Sequence, residues 1–280
     1  MPTRIAFLGP AGTYGEQAAA ALIELERISE PEFVPCKGLR SVVDQLASGD
    51  CSAAVVPVEN SVEGGVTAIL DALWTHRELC IRRALVLPIR HALLSHGTLS
   101  GITEVLSHPQ ALAQCSGWLA DHLPAALQLP TSSTAEAARM VAGSRFRAAI
   151  ASRQAGAEHD LDELAFPVND VPGNRTRFLL LQRGERRHSG DVASLAFSLR
   201  RNAPGALLEA LGCLARQSLN MSRIESRPSK RELGEYVFFV DVDLIAEPSS
   251  ALQDLLTDLK PICEHLAHFG AYPSSTLNDA

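Results

Sequence analysis

Residues 53–75 read AAVVPVENSVEGGVTAILDALWT, and this stretch decides the architecture. Ala53 to Val58 is a short run of small and branched apolar residues, the composition of a buried strand. Glu59, Asn60 and Ser61 end the run with polar side chains, and a helix follows from about Val66 to Thr75. Strand, polar loop, helix is the repeating unit of an α/β fold.

The unit recurs on both sides. Ile5 to Leu8 is a strand, and Gly9-Pro10-Ala11-Gly12-Thr13-Tyr14 is a loop opening a helix of alanines. That loop lacks G-x-G-x-x-G, so it is a tight strand-to-helix turn, not a dinucleotide site. Val105-Leu106 leads into Ser107-His108-Pro109-Gln110 and a further helix, and Ala148 to Ala151 is another strand. Polar loops at strand ends are where open α/β sheets hold ligands. Cys80 to Leu94 gives two strand-like runs broken at Pro88, Phe166 to Asp170 is a second extended crossing, and Arg177 to Leu181 a returning strand. Two crossings predict two α/β lobes with a cleft between them. Lobe I covers about residues 1–84 and 165–184, and lobe II about 85–164.

Residues 182–190 (QRGERRHSG) are polar and have no apolar face, which marks a domain boundary. Beyond it, over 191–274, the pattern predicts a strand (192–200), helix (204–219), two strands (221–228 and 236–244), a helix (249 to about 265) and a strand (266–272). Pro204 suits the first turn of its helix. This βαββαβ order is a ferredoxin-like plan. Its open sheet edges predict pairing with further copies, as a homodimer or homotetramer.

The bulk properties narrow the class. The chain has 280 residues, 46% hydrophobic and 20% charged, ordinary for a globular protein with two compact units. A net charge of −7 argues against a nucleic-acid surface. The six cysteines form no C-x-x-C pair, and no secretory leader or run of the ~20 apolar residues needed to cross a bilayer is present. A reduced, cytoplasmic protein without membrane contact is expected.

Seven motifs then carry a resemblance: GPAGTY from Gly9, PVENSVEGGV from Pro57, SHPQALAQC from Ser107, TSSTAEAA from Thr131, NRTRF from Asn174, PGALL from Pro204 and ESRP from Glu225. In this order they resemble the prephenate dehydratase family from Ile5 to Tyr272. The resemblance implies a periplasmic-binding-protein-like catalytic domain over 1–184 with an interlobe cleft. It also implies a C-terminal ACT regulatory domain over 191–274 that senses L-phenylalanine. The family's optional chorismate mutase domain has no counterpart ahead of the first strand, which predicts a monofunctional enzyme. Gly15 departs from the family, where Ser or Thr is more frequent.

The implied reaction removes CO2 and hydroxide from prephenate, making the ring aromatic and giving phenylpyruvate. It requires no redox cofactor or metal, and the sequence shows no motif for either. Thr176 matches the residue that assists the leaving hydroxyl, acting as a donor that stabilises developing charge. Glu59 is the carboxyl group in these motifs suited to supply a true proton, directly or through water, or else it orients Asn60. Arg177 is expected to grip a substrate carboxylate, the alternative being a salt bridge between lobes. Thr13, Asn60, Ser61, Ser107 and Gln114 match positions expected to line the cleft, and Phe178 packs beneath it. Gly205, Ala206, Leu207 and Leu208, with Glu225, Ser226, Arg227 and Pro228, form the implied phenylalanine site. Two alternatives stay open: arogenate dehydratase, which runs the same reaction on the aminated substrate, and a non-catalytic two-lobed sensor.

Overall fold

The computed structural model describes residues 2–244 and 249–277. Its first part alternates as the sequence predicts: β1 (Thr3–Leu8), α1 (Tyr14–Leu25), β2 (Pro31–Cys36), α2 (Leu39–Ser48), β3 (Ala53–Asn60), the two-residue β4 (Gly64–Gly65), α3 (Thr67–Thr75) and β5 (Cys80–Pro88). The chain then crosses to β6 (Ala92–Ser95), β7 (Glu104–Ser107), α4 (Pro109–Gln114), α5 (Ser116–His122), β8 (Leu127–Pro130), α6 (Thr134–Val141), β9 (Arg147–Ala151), α7 (Arg153–Glu158) and β10 (Asp162–Ala165). It returns to the first sheet as β11 (Arg175–Gln182).

The two crossings lie side by side. The Val168 N–H donates to the His91 carbonyl (2.9 Å), and the His91 N–H donates to Asn169 Oδ1 (2.7 Å). The first sheet runs β16-β5-β11-β3-β1-β2, where β16 is Ser274–Thr276, with β4 added on β3, and the second runs β10-β6-β9-β7-β8.

The third part comprises β12 (Val192–Leu199), α8 (Ala206–Arg216), β13 (Asn220–Pro228), β14 (Tyr236–Asp243), α9 (Ser249–Leu259) and β15 (Cys263–Tyr272). Its antiparallel sheet has the order β13-β14-β12-β15, the ferredoxin-like arrangement. Two local expectations change. Pro204 lies outside its helix, because Gly205 takes φ +86° as the N-cap and the helix starts at Ala206. The last helix stops at Leu259, so His265 joins β15 with His268. The chain also runs past residue 274 into β16 (Ser274–Thr276), which returns to the first sheet and pairs in parallel with β5.

Strand alternation divides the first sheet into two faces. Ile5, Phe7, Val55, Phe178 and Leu180 pack with Ala18 and Leu22 of α1. Ala6, Val56, Leu179 and Leu181 face the other way, against Val42 and Leu46 of α2, Ile69 and Leu70 of α3, and Phe239, Phe269 and Tyr272 of the C-terminal sheet. That sheet is covered on its far side by α8 and α9 through Leu214, Leu255 and Leu259. All six cysteines are free and buried, and among the described residues no helix is long and apolar enough to cross a membrane.

Candidate active site

A cleft of about 1030 Å³ lies between the two α/β lobes. Its walls are loops at strand ends, including Pro10 to Thr13 after β1, Lys37 after β2, Asn60 at the end of β3 and Ser132–Ser133 after β8. Three helices of at least eight residues, α1, α3 and α6, begin at its edge, where free backbone N–H groups and the helix dipole favour an anion. Lys37 is the one Lys or Arg among the described lining residues. Two of these starts are capped. Thr13 Oγ1 accepts from the Glu16 N–H (3.3 Å), and Ser133 Oγ accepts from the Glu136 N–H (3.0 Å). The first cap is complete without a hydroxyl at Gly15.

Thr176 is 8% exposed and lines the cleft with Phe178. Its partner explains its orientation. Asn60 Oδ1 accepts from the N–H groups of Val62 (2.9 Å) and Glu63 (3.1 Å), which fixes the amide so that Nδ2 donates to Thr176 Oγ1 (2.9 Å). A hydroxyl oxygen occupied as acceptor is left with its O–H to give, and the accepted bond polarises it. Nδ2 of Asn60 also donates to Asn174 Oδ1 (2.9 Å), and Asn174 Nδ2 donates to Gln114 Oε1 (2.9 Å) on α4. The chain Thr176–Asn60–Asn174–Gln114 therefore spans both lobes through neutral groups.

The remaining expected residues divide. Ser61 Oγ accepts from the Arg175 N–H (2.9 Å) and shapes the turn beside Asn60. Ser107 is fully buried and donates to the Ile150 carbonyl (2.6 Å), tying β7 to the end of β9 instead of lining the cleft. Thr13 lines the cleft, but its hydroxyl is engaged by the α1 cap and by the Leu8 carbonyl (3.0 Å).

Glu59 and Arg177 require correction: both face away from the cleft. Arg177 alternates with Thr176 and Phe178, so its side chain emerges on the opposite face, with Nη2 2.6 Å from Asp241 Oδ2 of β14 and 3.0 Å from Glu59 Oε2. For Glu59 the cause is a bulge. Pro57 pairs with Phe178, but the register then shifts so that Glu59 pairs with Arg177 and Asn60 with Thr176. Val58 is the extra residue, and it swaps the faces that plain alternation from Val55 and Pro57 gives to residues 59 and 60. Pro57 has no N–H to donate to a ladder at this point.

Among residues to which the sequence reading gave no role, His91, Tyr14 and Lys37 line the cleft, and Asn174 joins Asn60 to Gln114 beside it. Asn174 carried a signal, as the first residue of NRTRF. His91 is 3% exposed with Nδ1 3.3 Å from the Tyr14 hydroxyl. Burial pushes its pKa down to about 4, opposed by a hydrogen bond to Gln114 that favours the protonated ring, so the imidazole is neutral near pH 7. Among the described residues no group of three or more His, Cys, Asp or Glu is placed to hold a metal ion.

Known proteins resemble this chain over nearly its whole length. The family model for prephenate dehydratase matches residues 5–186. Prephenate dehydratase of Amycolatopsis methanolica is 37% identical over 274 residues, covering 96% of this chain and 88% of its own. Among solved structures, prephenate dehydratase from Arthrobacter aurescens in complex with L-Phe superposes with a TM-score of 0.85 at 37% identity, over 96% of this chain and 90% of that one. GqqA, described as a novel type of quorum quenching acylase, superposes with a TM-score of 0.78 at 28% identity, over 97% and 98% of the two chains.

Proposed function

The chain belongs to the prephenate dehydratase family and converts prephenate to phenylpyruvate, and from that premise we propose that Thr176, aimed by Asn60, is the group that assists the leaving hydroxyl. The Asn60–Thr176 hydrogen bond carries this reading, because it fixes the direction in which the hydroxyl can donate.

In the reaction the electron pair of the ring-to-carboxylate bond enters the ring as CO2 departs. The electrons of the C–O bond across the ring leave with the hydroxyl, which takes a proton and becomes water. Thr176 donates a hydrogen bond to that oxygen as negative charge grows on it, and a donor fixed beforehand needs no reorganisation when the charge appears. Glu59, on the other face, does not deliver that proton; Glu63 and Glu136 are the carboxyl groups that line the cleft, and water carries the proton to the leaving oxygen. The retained side-chain carboxylate pairs with Lys37 and the helix N-termini, while the carboxylate that departs lies among neutral groups, with Phe178 beneath the ring.

The C-terminal part acts as an ACT domain that binds phenylalanine and regulates the enzyme, within a homodimer or homotetramer. Three observations support this. The Arthrobacter aurescens relative is in complex with L-Phe. Gly205 at the start of α8 has open space around it, and Leu208 on α8 is 73% exposed. On β13, Ser226 and Pro228 are exposed and left for a ligand or a second copy, whereas Glu225 and Arg227 turn toward the first lobe, Arg227 pairing with Asp71 of α3 (3.2 Å).

The deciding experiment is phenylpyruvate release from prephenate and from arogenate, with and without phenylalanine. Turnover of prephenate that falls as phenylalanine is added supports the whole reading. Preference for arogenate moves the substrate to the aminated form, and turnover of neither leaves a two-lobed binding protein.

A further inference from the structure

The face of β11 turned from the cleft carries charges for which the reaction has no use. Arg177, adjacent to Thr176, is 16% exposed in its side chain and faces Asp241 of β14, which is 6% exposed. Asp241 also accepts a hydrogen bond from Ser194 Oγ of β12. Arg223 of β13 lies 3.7 Å from Glu59 and 2.6 Å from Glu225. The Glu225 carboxylate in turn rests on Gly65, where an added Cβ would collide with it. Gly65 is itself part of the cleft wall, in the short strand β4 hydrogen-bonded to Glu59 and Asn60.

Two arginines and three carboxylates thus meet between the C-terminal sheet and the back of the catalytic sheet. An apolar junction would hold these surfaces together with less desolvation, and buried ion pairs contribute little net stability. What they supply is direction. Apolar contacts tolerate sliding, whereas a charge-assisted hydrogen bond of 2.6 Å fixes its partners in distance and angle. The tie also sits beside the bulge that sets which residues of β3 and β11 reach the cleft.

We propose that Arg177 and Asp241 form a positioning pair through which the C-terminal sheet holds the Thr176 hydroxyl in register with Asn60, with Arg223 and Glu225 bracing the cleft wall at Glu59 and Gly65. Arg177 acts through Thr176 and does not touch substrate. A ligand that displaces β13 or β14 reaches the cleft along these side chains. The inference rests on the assignment of Thr176 above.

The test replaces the pair by apolar residues of similar size, Arg177→Met with Asp241→Leu, since exchanging a buried ion pair for packed apolar side chains preserves folding. Two readouts are taken. In a crystal structure of the variant, the Asn60 Nδ2–Thr176 Oγ1 separation is expected to open beyond hydrogen-bonding distance, and a contact unchanged from 2.9 Å overturns the proposal whatever the activity. In prephenate turnover, kcat is expected to fall on the order of 10- to 100-fold with KM within about twofold and melting little changed. Adding Thr176→Ala to the variant then costs less than it does alone, because the two act through one group. A raised KM at unchanged kcat would make Arg177 a substrate ligand, and unchanged kcat and KM in a folded variant would leave the cluster purely structural. Either result overturns the proposal. A wild-type enzyme that does not turn over prephenate overturns the assignment of Thr176 instead, and the crystallographic readout still decides the positioning pair.

Discussion

The two faces of the first sheet at residues 59–60 and 176–178 carry opposite chemistry. Toward the cleft stand Asn60, Thr176 and Phe178, all neutral, the first two joined by a hydrogen bond; toward the C-terminal sheet stand Glu59 and Arg177, multiply paired in salt bridges. Five residues of two motifs are split between the faces by strand alternation and one bulge. Adjacent motif residues therefore need not share a task. In the mechanism proposed above, the cleft face of these two strands handles charge that changes during the reaction. The rear face handles charge that must stay put.

Four substitutions sharpen or break this contrast. Thr176→Ala has the largest expected effect: a loss in kcat on the order of 10²- to 10³-fold with KM and melting nearly unchanged, as for removal of one preorganised donor. Retention of full kcat would remove the cleft face from the chemistry.

The buried His91 gives a pH signature at the lobe junction. Its folded pKa of about 4 lies below the unfolded value near 6.5, so the unfolded chain binds the extra proton first. Stability is complete above about pH 6.5 and declines as the pH falls toward 4, by at most about 3 kcal/mol from this residue. Denaturant melts of His91→Gln should show a shallower loss over that window than wild type. His268, also lowered to about 4 by burial and then by Arg186 and His188, belongs to the C-terminal sheet and supplies the comparison.

Gly65→Ala probes the contact between the faces. The obstructing atoms are the flexible end of Glu225, so the expected loss is about 1 kcal/mol, recovered when Glu225→Ala is added. Failure of the second change to recover stability in a chemical melt would mean that the two residues do not meet. The smallest effect is expected for Glu59→Gln, with kcat within about threefold of wild type and an unchanged pH profile, since a group on the rear face transfers no proton to the cleft. A large drop in kcat with a lost alkaline limb would return Glu59 to the reaction as its general acid.

The sequence displayed the repeated strand–loop–helix units because apolar runs and polar loops are local properties, and residues 53–75 showed all three in order. It likewise showed that Thr176, Asn60 and Gln114 share a neighbourhood, through motifs and not through periodicity. It could not show which way Glu59 points, because the bulge at Val58 depends on pairing with a strand more than a hundred residues later. Ser107 misled for a related reason: its hydroxyl is consumed by the Ile150 carbonyl, a partner supplied only by the neighbouring strand. Lys37 gave no signal, being one lysine after one strand, until the fold brought that strand end to the cleft.

The short strand β16 has a consequence for modularity. Ser275 accepts from Arg83 Nη1 (3.0 Å), the Leu277 N–H donates to the Val86 carbonyl (3.0 Å), and Leu277 packs with the α1-side core. The polypeptide therefore leaves the first sheet after β11, builds the whole C-terminal sheet, and comes back to finish the sheet it left. In topological terms the C-terminal unit is an insertion closed by a clasp, not an appendage. Severing it at its amino-terminal junction also strips the catalytic unit of its own edge strand and leaves β5 open to other chains.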